Sequence, residues 1–203
     1  MKKFSKKSLK KKLNIAIVAQ VVNVNSGARA PIELARALAI KNNVWFFSYP
    51  YNFNKSSSLY LTRSQIKLKS LPYRETSLTG KIKNTVSLAA QLKSGPYDLI
   101  SSHCLLPLFL ATVFSGKPVV STYYGLQKAI LSDKVYPKTL NISLKLIEKI
   151  FDFLSFLQQF MITNLSSYSV AISKYSKNEL WKIYKKNAPV IYLGAISKTL
   201  KNE

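Results

Sequence analysis

Short apolar segments alternate with helix-like segments along almost all of this 203-residue chain, and that alternation restricts the fold more than any other feature. Segments such as "VVST" at 119–122 are apolar at consecutive positions or nearly so, which is typical of strands covered on both faces. The intervening segments place apolar residues every three or four positions, as helices packed on a sheet do. The pattern therefore predicts an α/β fold with a doubly wound parallel sheet. Predicted strands occupy 13–19, 43–48, 65–70, 97–102, 117–122, 168–173 and 188–194, and predicted helices 29–41, 80–95, 105–116, 139–162 and 174–186.

The charge of the chain indicates the kind of partner it seeks. Lys and Arg total 31 against 8 Asp and Glu, for a net charge of +23, which favours membrane lipid, nucleic acid or anionic small ligands. Only 4 of the 31 basic residues are arginine, whereas recognition of bases and phosphates favours arginine over lysine. An anionic membrane surface is therefore the favoured partner. A basic module that binds nucleic acid or another anionic surface, without catalysis, is the alternative.

The amino terminus has two interpretations. Residues 1–12, "MKKFSKKSLKKK", contain seven lysines and precede the apolar segment "LNIAIVAQVV", and a basic run before an apolar one is typical of a secretory signal. The apolar run is short, however, and Asn14 and Gln20 interrupt it. The favoured interpretation is a basic disordered arm over 1–12, followed by the first strand of the sheet.

The predicted helix at 139–162 is unusually apolar, although no apolar stretch reaches the roughly 20 residues that a spanning helix needs. Its polar residues Glu148, Asp152, Ser155 and Gln159 recur at intervals of four, three and four, which makes one narrow polar stripe. One interpretation is a helix mostly buried in its own domain. Another, compatible with the first, is a helix that also lies on a bilayer or against a second domain.

Few residues of this chain are candidates for chemistry. His103 is the single histidine and Cys104 the single cysteine, too few for a disulfide or a Cys/His metal site, and no metal is expected. His103 follows a predicted strand, where a histidine either packs locally or faces a ligand. Gly27 precedes the first predicted helix, whose amino end could bind phosphate. It lacks the other glycines of a dinucleotide fingerprint, so a simple tight turn is the alternative.

The segment "VVSTYYGLQ" at 119–127 ends an apolar strand with two tyrosines and a glycine. Ligands of open α/β sheets bind at the carboxyl ends of strands. We therefore expect Tyr124 and Gly125 to lie beside His103 at a binding cleft. The alternative is a buried tyrosine pair that closes the end of the sheet.

Five segments, in order and near the expected spacing, resemble the amino-terminal domain of family 4 glycosyltransferases, which are retaining enzymes of GT-B fold. They are "SGARAPIELARALA", "YDLISSHCLLPLFLA", "GKPVVSTYYGL", "YSVAISKYSKNEL" and "PVIYLGAI". The resemblance covers roughly residues 13–197. It implies a Rossmann-like domain that binds the acceptor and helps to hold the diphosphate of a nucleotide-sugar donor.

The resemblance also implies the site residues. His103 and Tyr124 would be the catalytic residues, with Tyr124 standing where the family often has a histidine. The residues implied at the donor are Gly27, Ala28, Arg29, Gly125 and Ser173. The nucleotide sugar would be a substrate, no cofactor or metal would be required, and the acceptor would be a glycan or a lipid-linked molecule.

The predicted organisation follows from these points. Residues 1–12 form the basic arm, 13–196 a single Rossmann-like domain that is one half of a GT-B enzyme, and 197–203 a truncated interdomain linker. We expect the chain alone to be inactive or nearly so, because half of a cleft cannot hold both the donor and the acceptor. It would be a truncated gene product, a remnant, or one half of a split enzyme whose donor-binding domain is a separate chain. The expected location is cytoplasmic, peripheral to the inner face of the membrane.

Overall fold

Six parallel strands form one sheet in the computed structural model, which describes residues 12–22, 29–53, 58, 61–72, 78–125 and 142–192. The order across the sheet is β3-β2-β1-β4-β5-β6, and every pairing is parallel. The predicted Rossmann-like, doubly wound α/β fold is thereby confirmed. The strands are β1 Asn14–Ala19, β2 Asn43–Ser48, β3 Lys67–Ser70, β4 Leu99–His103, β5 Val119–Tyr123 and β6 Tyr168–Ala171.

Helices cover both faces of this sheet. They are α1 Ala30–Ala39, α2 Leu78–Ser94, α3 Leu108–Phe114, α4 Ile142–Leu165 and α5 Lys174–Tyr184, and a short 3₁₀ helix spans Pro50–Asn52. Local chemistry fixes several of their ends. Pro31 stands in the first turn of α1, where its missing N–H is not needed. At α5, the Ser173 hydroxyl accepts a hydrogen bond from the Ser176 N–H and Lys185 ends the helix in the left-handed conformation.

The core consists of two main layers, one on each side of the sheet. Successive side chains of β1 point to opposite faces, so Ala16 and Val18 join the layer built with α2 and α3. Ile15 and Ile17 join the layer built with α1. Because β1 is buried on both faces, it reads as an unbroken apolar run, and that is why the sequence predicts it well.

The order of the strands places a crevice beside β1. From β1 the chain builds outward to β2 and β3, and then returns to β4 on the other side of β1. The carboxyl ends of β1 and β4 therefore flank the topological switch point, where ligands of open α/β sheets bind.

Two sequence predictions differ from the structure. The predicted strand at 188–194 amounts, within the described residues, to one bridge between Val190 and Ala171. The long helix is not mostly buried: α4 ends at Leu165, three residues beyond the prediction, and its apolar side faces solvent. The basic arm, apart from Lys12, and the linker 197–203 lie outside the described residues.

Candidate functional site

A cavity of about 300 Å³ opens at the switch point of the sheet. Residues just after β1, β4 and β5 supply one wall, and the start of α1 and one side of α4 supply the others. His103, Tyr124 and Gly125, all predicted from sequence, line it together. Among the described residues, those that line it are Gln20, Val21, Pro31, Ser102, His103, Cys104, Leu105, Thr122, Tyr124, Gly125, Gln159 and Ile162.

His103 and Tyr124 form a hydrogen-bonded pair at the floor of this cavity. The Nδ1 atom of His103 lies 2.7 Å from the Tyr124 hydroxyl oxygen, and the Nε2 atom lies 3.0 Å from the hydroxyl oxygen of Ser101. Ser101 and His103 are two residues apart on β4 and therefore project from the same face. Both ring nitrogens of His103 thus have a hydroxyl partner, which fixes the orientation of the ring.

The imidazole of His103 is neutral at physiological pH. Burial lowers its pKa to about 4, because a buried imidazolium loses hydration. Burial also raises the pKa of the Tyr124 phenol. A neutral ring has one N–H and one acceptor nitrogen, so Tyr124 either donates its proton to His103 or accepts one from it. In the first arrangement the phenol oxygen can accept from a ligand hydroxyl, and in the second it can donate to a ligand oxygen.

Gln20 holds the cavity wall together, although sequence reasoning did not identify it as a site residue. Its side-chain oxygen accepts a hydrogen bond from the backbone N–H of Leu105 at 3.1 Å. Its backbone oxygen accepts from the side-chain amide of Asn52 at 2.8 Å. Gln20 therefore links, through these two hydrogen bonds, the segments that follow β1, β2 and β4. The available signal was a polar residue that interrupts an apolar run at a strand end.

The two adjacent tyrosines at the carboxyl end of β5 point in opposite directions. Tyr124 is 41% exposed and lines the cavity, whereas Tyr123 is buried at 3%. The hydroxyl of Tyr123 donates to the Glu179 carboxylate at 3.1 Å, so this residue joins β5 to α5. Only one of the two is therefore available to a ligand.

Gly125 lines the cavity in a backbone conformation that favours glycine. Its φ of +116° lies outside the conformations that residues with a Cβ adopt easily. Because Gly125 has no side chain, a ligand can approach its backbone closely.

Two other predicted donor-site residues, Ser173 and Arg29, do not line the cavity. Ser173 caps α5, and its hydroxyl oxygen lies 3.0 Å from that of Ser176, but it does not line the cavity. Arg29 precedes α1, and its guanidinium pairs with Glu33 at 2.6 Å. Gly27 and Ala28 lie outside the described residues.

Cys104 borders the cavity but is unsuited to nucleophilic chemistry. Burial raises the pKa of its thiol to about 12, so the reactive thiolate is absent at neutral pH. Across the ranges that the structure describes, no three His, Cys, Asp or Glu side chains cluster as metal ligands would.

One side of α4 completes the cavity. Gln159 and Ile162 line it, and Gln159 belongs to the polar stripe identified in the sequence. Asp152, Ser155 and Gln159 of that stripe are half-buried and face the protein. In the described part of the chain, none of the helices combines the length and apolar character needed to cross a membrane.

Comparisons with known proteins bear on the fold. The sequence matches no protein-family model and no curated protein. HepE of Anabaena, in complex with UDP and glucose, is similar with a TM-score of 0.61 and 15% identity over 90% of this chain and 45% of HepE. MurG of Acinetobacter baumannii gives a TM-score of 0.54 and 12% identity over 90% of this chain and 46% of MurG.

A UDP-N-acetylglucosamine 2-epimerase is also similar, with a TM-score of 0.58 and 15% identity over 90% of this chain and 48% of the epimerase. One of these neighbours is an epimerase and another was solved with UDP and glucose, so the likeness carries the fold and not one activity. The chain spans less than half the length of each of the three. Its fold is that of one half of a GT-B protein.

Proposed function

We propose that this chain is the amino-terminal, acceptor-side domain of a retaining glycosyltransferase of family 4. The enzyme would transfer a sugar from a nucleotide sugar to a lipid-linked or polysaccharide acceptor. The observation that carries the proposal is the His103–Tyr124 pair, which lines a cavity at the switch point of a doubly wound sheet. The neighbour HepE, with the same fold, has been solved with UDP and glucose.

The cavity chemistry suits a neutral, hydroxyl-rich ligand. Because His103 is uncharged, the Tyr124 hydroxyl can exchange neutral hydrogen bonds with sugar hydroxyls in either direction. The Gln159 amide faces the same space and offers both a donor and an acceptor. In the proposed reaction, His103 and Tyr124 orient the transferred sugar, and the backbone at Gly125 approaches the ligand closely.

The donor diphosphate would lie toward the start of α1. Pro31 in the first turn of that helix lines the cavity, and helix amino ends favour anions. Gly27, Ala28 and Arg29 would complete this phosphate site. We propose that Ser173, whose hydroxyl already caps α5, positions the amino end of α5 beside Gly125 for the same ligand. No metal or cofactor is part of the proposal.

A second half would be needed for turnover. A retaining transferase must stabilise both the departing nucleoside diphosphate and a cationic sugar, and this cavity provides one wall of such a cleft. A donor-binding domain, on the same protein or on a separate chain, would supply the other wall. We propose that these residues alone bind sugar without transferring it. The proposed location is cytoplasmic and peripheral, at the inner face of the membrane where lipid-linked acceptors lie.

Ligand binding tests this proposal without requiring the second half. Saturation-transfer NMR with UDP-glucose should show transfer to the glucose protons in the unmodified chain. Tyr124→Phe should reduce that transfer severalfold, because the phenyl ring keeps the shape of the wall and loses its hydroxyl. The matched control is Tyr175→Phe, since Tyr175 is 74% exposed on α5 and does not line the cavity. Equal transfer in both variants, or none in the unmodified chain, would refute the proposal.

A further inference from the structure

Helix α4 presents its apolar side to solvent. The exposed side chains follow one another at intervals of three and four residues, as one face of a helix requires. Phe153 is 63% exposed and Leu154 51%, although large apolar residues are usually inside a protein. The exposed apolar face, called the outer face here, consists of Ile150, Phe153, Leu154, Leu157, Phe160 and Leu165.

The opposite side of α4 is the one that packs on the protein. Asp152, Ser155 and Gln159 are half-buried there, and Ile162 and Thr163 are buried. The polarity of the helix is thus the reverse of that of an ordinary surface helix. Packing on its own domain therefore does not account for the outer face, and a contiguous apolar face of this kind marks an interaction site.

The surroundings of the outer face indicate what covers it. The ring of Phe156, beside the outer face, stacks on that of Tyr184 of α5 with centroids 5.5 Å apart. Trp181 precedes Tyr184 by one turn and is 53% exposed. Lys174 and Lys182 of α5, and Lys185 directly after it, are exposed as well. An apolar face flanked by tryptophan and lysines is typical of elements that lie in the interface of a membrane.

We propose that the outer face of α4, with Trp181 and the lysines of α5, docks on a bilayer that contains anionic lipids. Apolar side chains would enter the acyl boundary, and the lysines would contact headgroups. A second copy of the chain is a poorer occupant, because two chains of +23 repel each other whereas anionic lipid attracts both. Among the described helices none can span a bilayer, so the contact is with its surface.

Docking through this face has a consequence for the acceptor, and that consequence rests on the proposed function. Gln159 and Ile162 line the cavity from the side of α4 opposite to the outer face. The cavity would then lie about one helix diameter, roughly 10 Å, from the headgroups. That position favours an acceptor attached to lipid over a soluble polysaccharide.

Vesicle co-sedimentation tests the docking face. The chain should sediment with vesicles of phosphatidylcholine and phosphatidylglycerol, and less with phosphatidylcholine alone. Phe153→Ser combined with Leu157→Ser should lower partitioning about tenfold or more, since two large apolar contacts are lost. The control is Ile40→Ser, because Ile40 is 79% exposed at the end of α1, which packs in the core layer on the other face of the sheet from α4. Equal partitioning of the double variant and the control would overturn the proposal.

Tryptophan fluorescence distinguishes this face from simple attraction by the lysine-rich amino terminus. Trp181 is exposed and Trp45 is buried, so a vesicle-dependent blue shift should come from Trp181 and disappear in Trp181→Phe. Brominated lipids should quench the same signal. Sedimentation without any shift of Trp181 would mean that another part of the chain holds the vesicle, which would overturn the proposal.

Two further measurements distinguish a failure of the proposed function from a failure of membrane docking. Tyr124→Phe should bind vesicles like the unmodified chain, because Tyr124 is not on the outer face; a loss of sugar binding with normal docking would leave this inference intact. Sedimentation velocity should show a monomer at working concentration. A dimer that Phe153→Ser and Leu157→Ser together dissociate would instead identify a second copy as the occupant and refute membrane docking.

Discussion

The hydroxyl oxygen of Tyr124 lies 2.7 Å from Nδ1 of His103, and this bond joins the carboxyl ends of β4 and β5 at the cavity. Strand geometry sets up the contact. The register pairs Ser102 of β4 with Ser121 of β5, which brings the two following segments side by side. The preceding residue, Tyr123, points to the other face and bonds to Glu179 instead. One strand end thus separates a tyrosine that lines the cavity from one that packs inside the protein.

This separation predicts opposite effects for two conservative changes. Tyr123→Phe should lower the free energy of unfolding by about 1–2 kcal/mol, because it removes a buried hydrogen bond to a carboxylate. Tyr124→Phe should lower it by less than that, because the Tyr124 side chain is 41% exposed and its hydroxyl bonds to a neutral imidazole rather than to a carboxylate. Urea unfolding measures both. Sugar binding should follow the reverse order, and similar losses of stability in the two variants would contradict the assigned roles.

The single histidine of the chain permits a direct test of its environment. Burial lowers the pKa of His103 to about 4 from its ordinary 6.5. The imidazole Cε1 proton should therefore keep the chemical shift of the neutral ring as the pH falls through 6.5, and should move only near the lower value. NMR titration needs no assignment, because one histidine gives one such signal. A midpoint near 6.5 would show that the ring is hydrated and that the cavity floor is open.

The same shift makes stability depend on pH. The unfolded chain binds a proton at His103 at higher pH than the folded chain does, so protonation favours unfolding. The contribution of His103 is therefore fully present above pH 6.5 and is lost as the pH falls toward 4. In His103→Gln, the free energy of unfolding should depend less on pH in the upper part of this pH range, where carboxyl groups do not titrate. Urea unfolding of the unmodified chain and of His103→Gln across that pH range measures this effect. The midpoint of the unmodified chain should fall more as the pH is lowered.

Much of the fold could be predicted because buried strands and helix faces consist of apolar residues in recognisable patterns. Strands such as β1 are covered on both faces and appear as continuous apolar runs, which locate them without knowledge of the partners. The shared position of His103, Tyr124 and Gly125 at the carboxyl ends of two strands could be predicted for the same reason, while their role toward a ligand stays a prediction. Gln20 was missed because its role depends on the backbone N–H of Leu105 and on its own backbone oxygen, which accepts from the Asn52 side chain, and no side-chain pattern reveals these contacts.

The orientation of α4 could not be derived from its pattern. Periodicity shows that the helix has a polar side and an apolar side, but it does not say which side meets the protein. The usual preference for apolar burial gave the wrong answer, because Asp152, Ser155 and Gln159 face inward. The predicted length of the last strand was wrong for a related reason. An apolar run such as that around Val190 can be stabilised by a single bridge to Ala171.

Two glycines with positive φ offer a matched test of the turn after β5. Gly125 has φ +116° and Gly116 has φ +70°. Asparagine tolerates the left-handed region near +70° but not the region near +116°. Gly125→Asn should therefore cost about 1–3 kcal/mol of unfolding free energy, and Gly116→Asn less than about 1 kcal/mol.

Steric space does not explain that difference. A Cβ at Gly116 would meet nothing within 4 Å, and one at Gly125 would lie 3.6 Å from a Glu179 carboxylate oxygen, an ordinary contact. The penalty at Gly125 should thus be one of backbone conformation. Thermal unfolding of the two variants measures it, and equal costs would mean that the turn relaxes without strain.

Adjacent glutamines on α4 test whether the polar stripe serves the cavity. Gln159 lines the cavity, whereas its neighbour Gln158 is rotated by about 100° around the helix and does not line it. Gln159→Leu should weaken binding of UDP-glucose severalfold, because a leucine offers no hydrogen bond to a sugar hydroxyl. Gln158→Leu should leave binding unchanged, although it adds the same apolar surface. Saturation-transfer NMR compares the two, and an equal loss in both variants would show that the effect comes from altered helix packing rather than from a polar contact in the cavity.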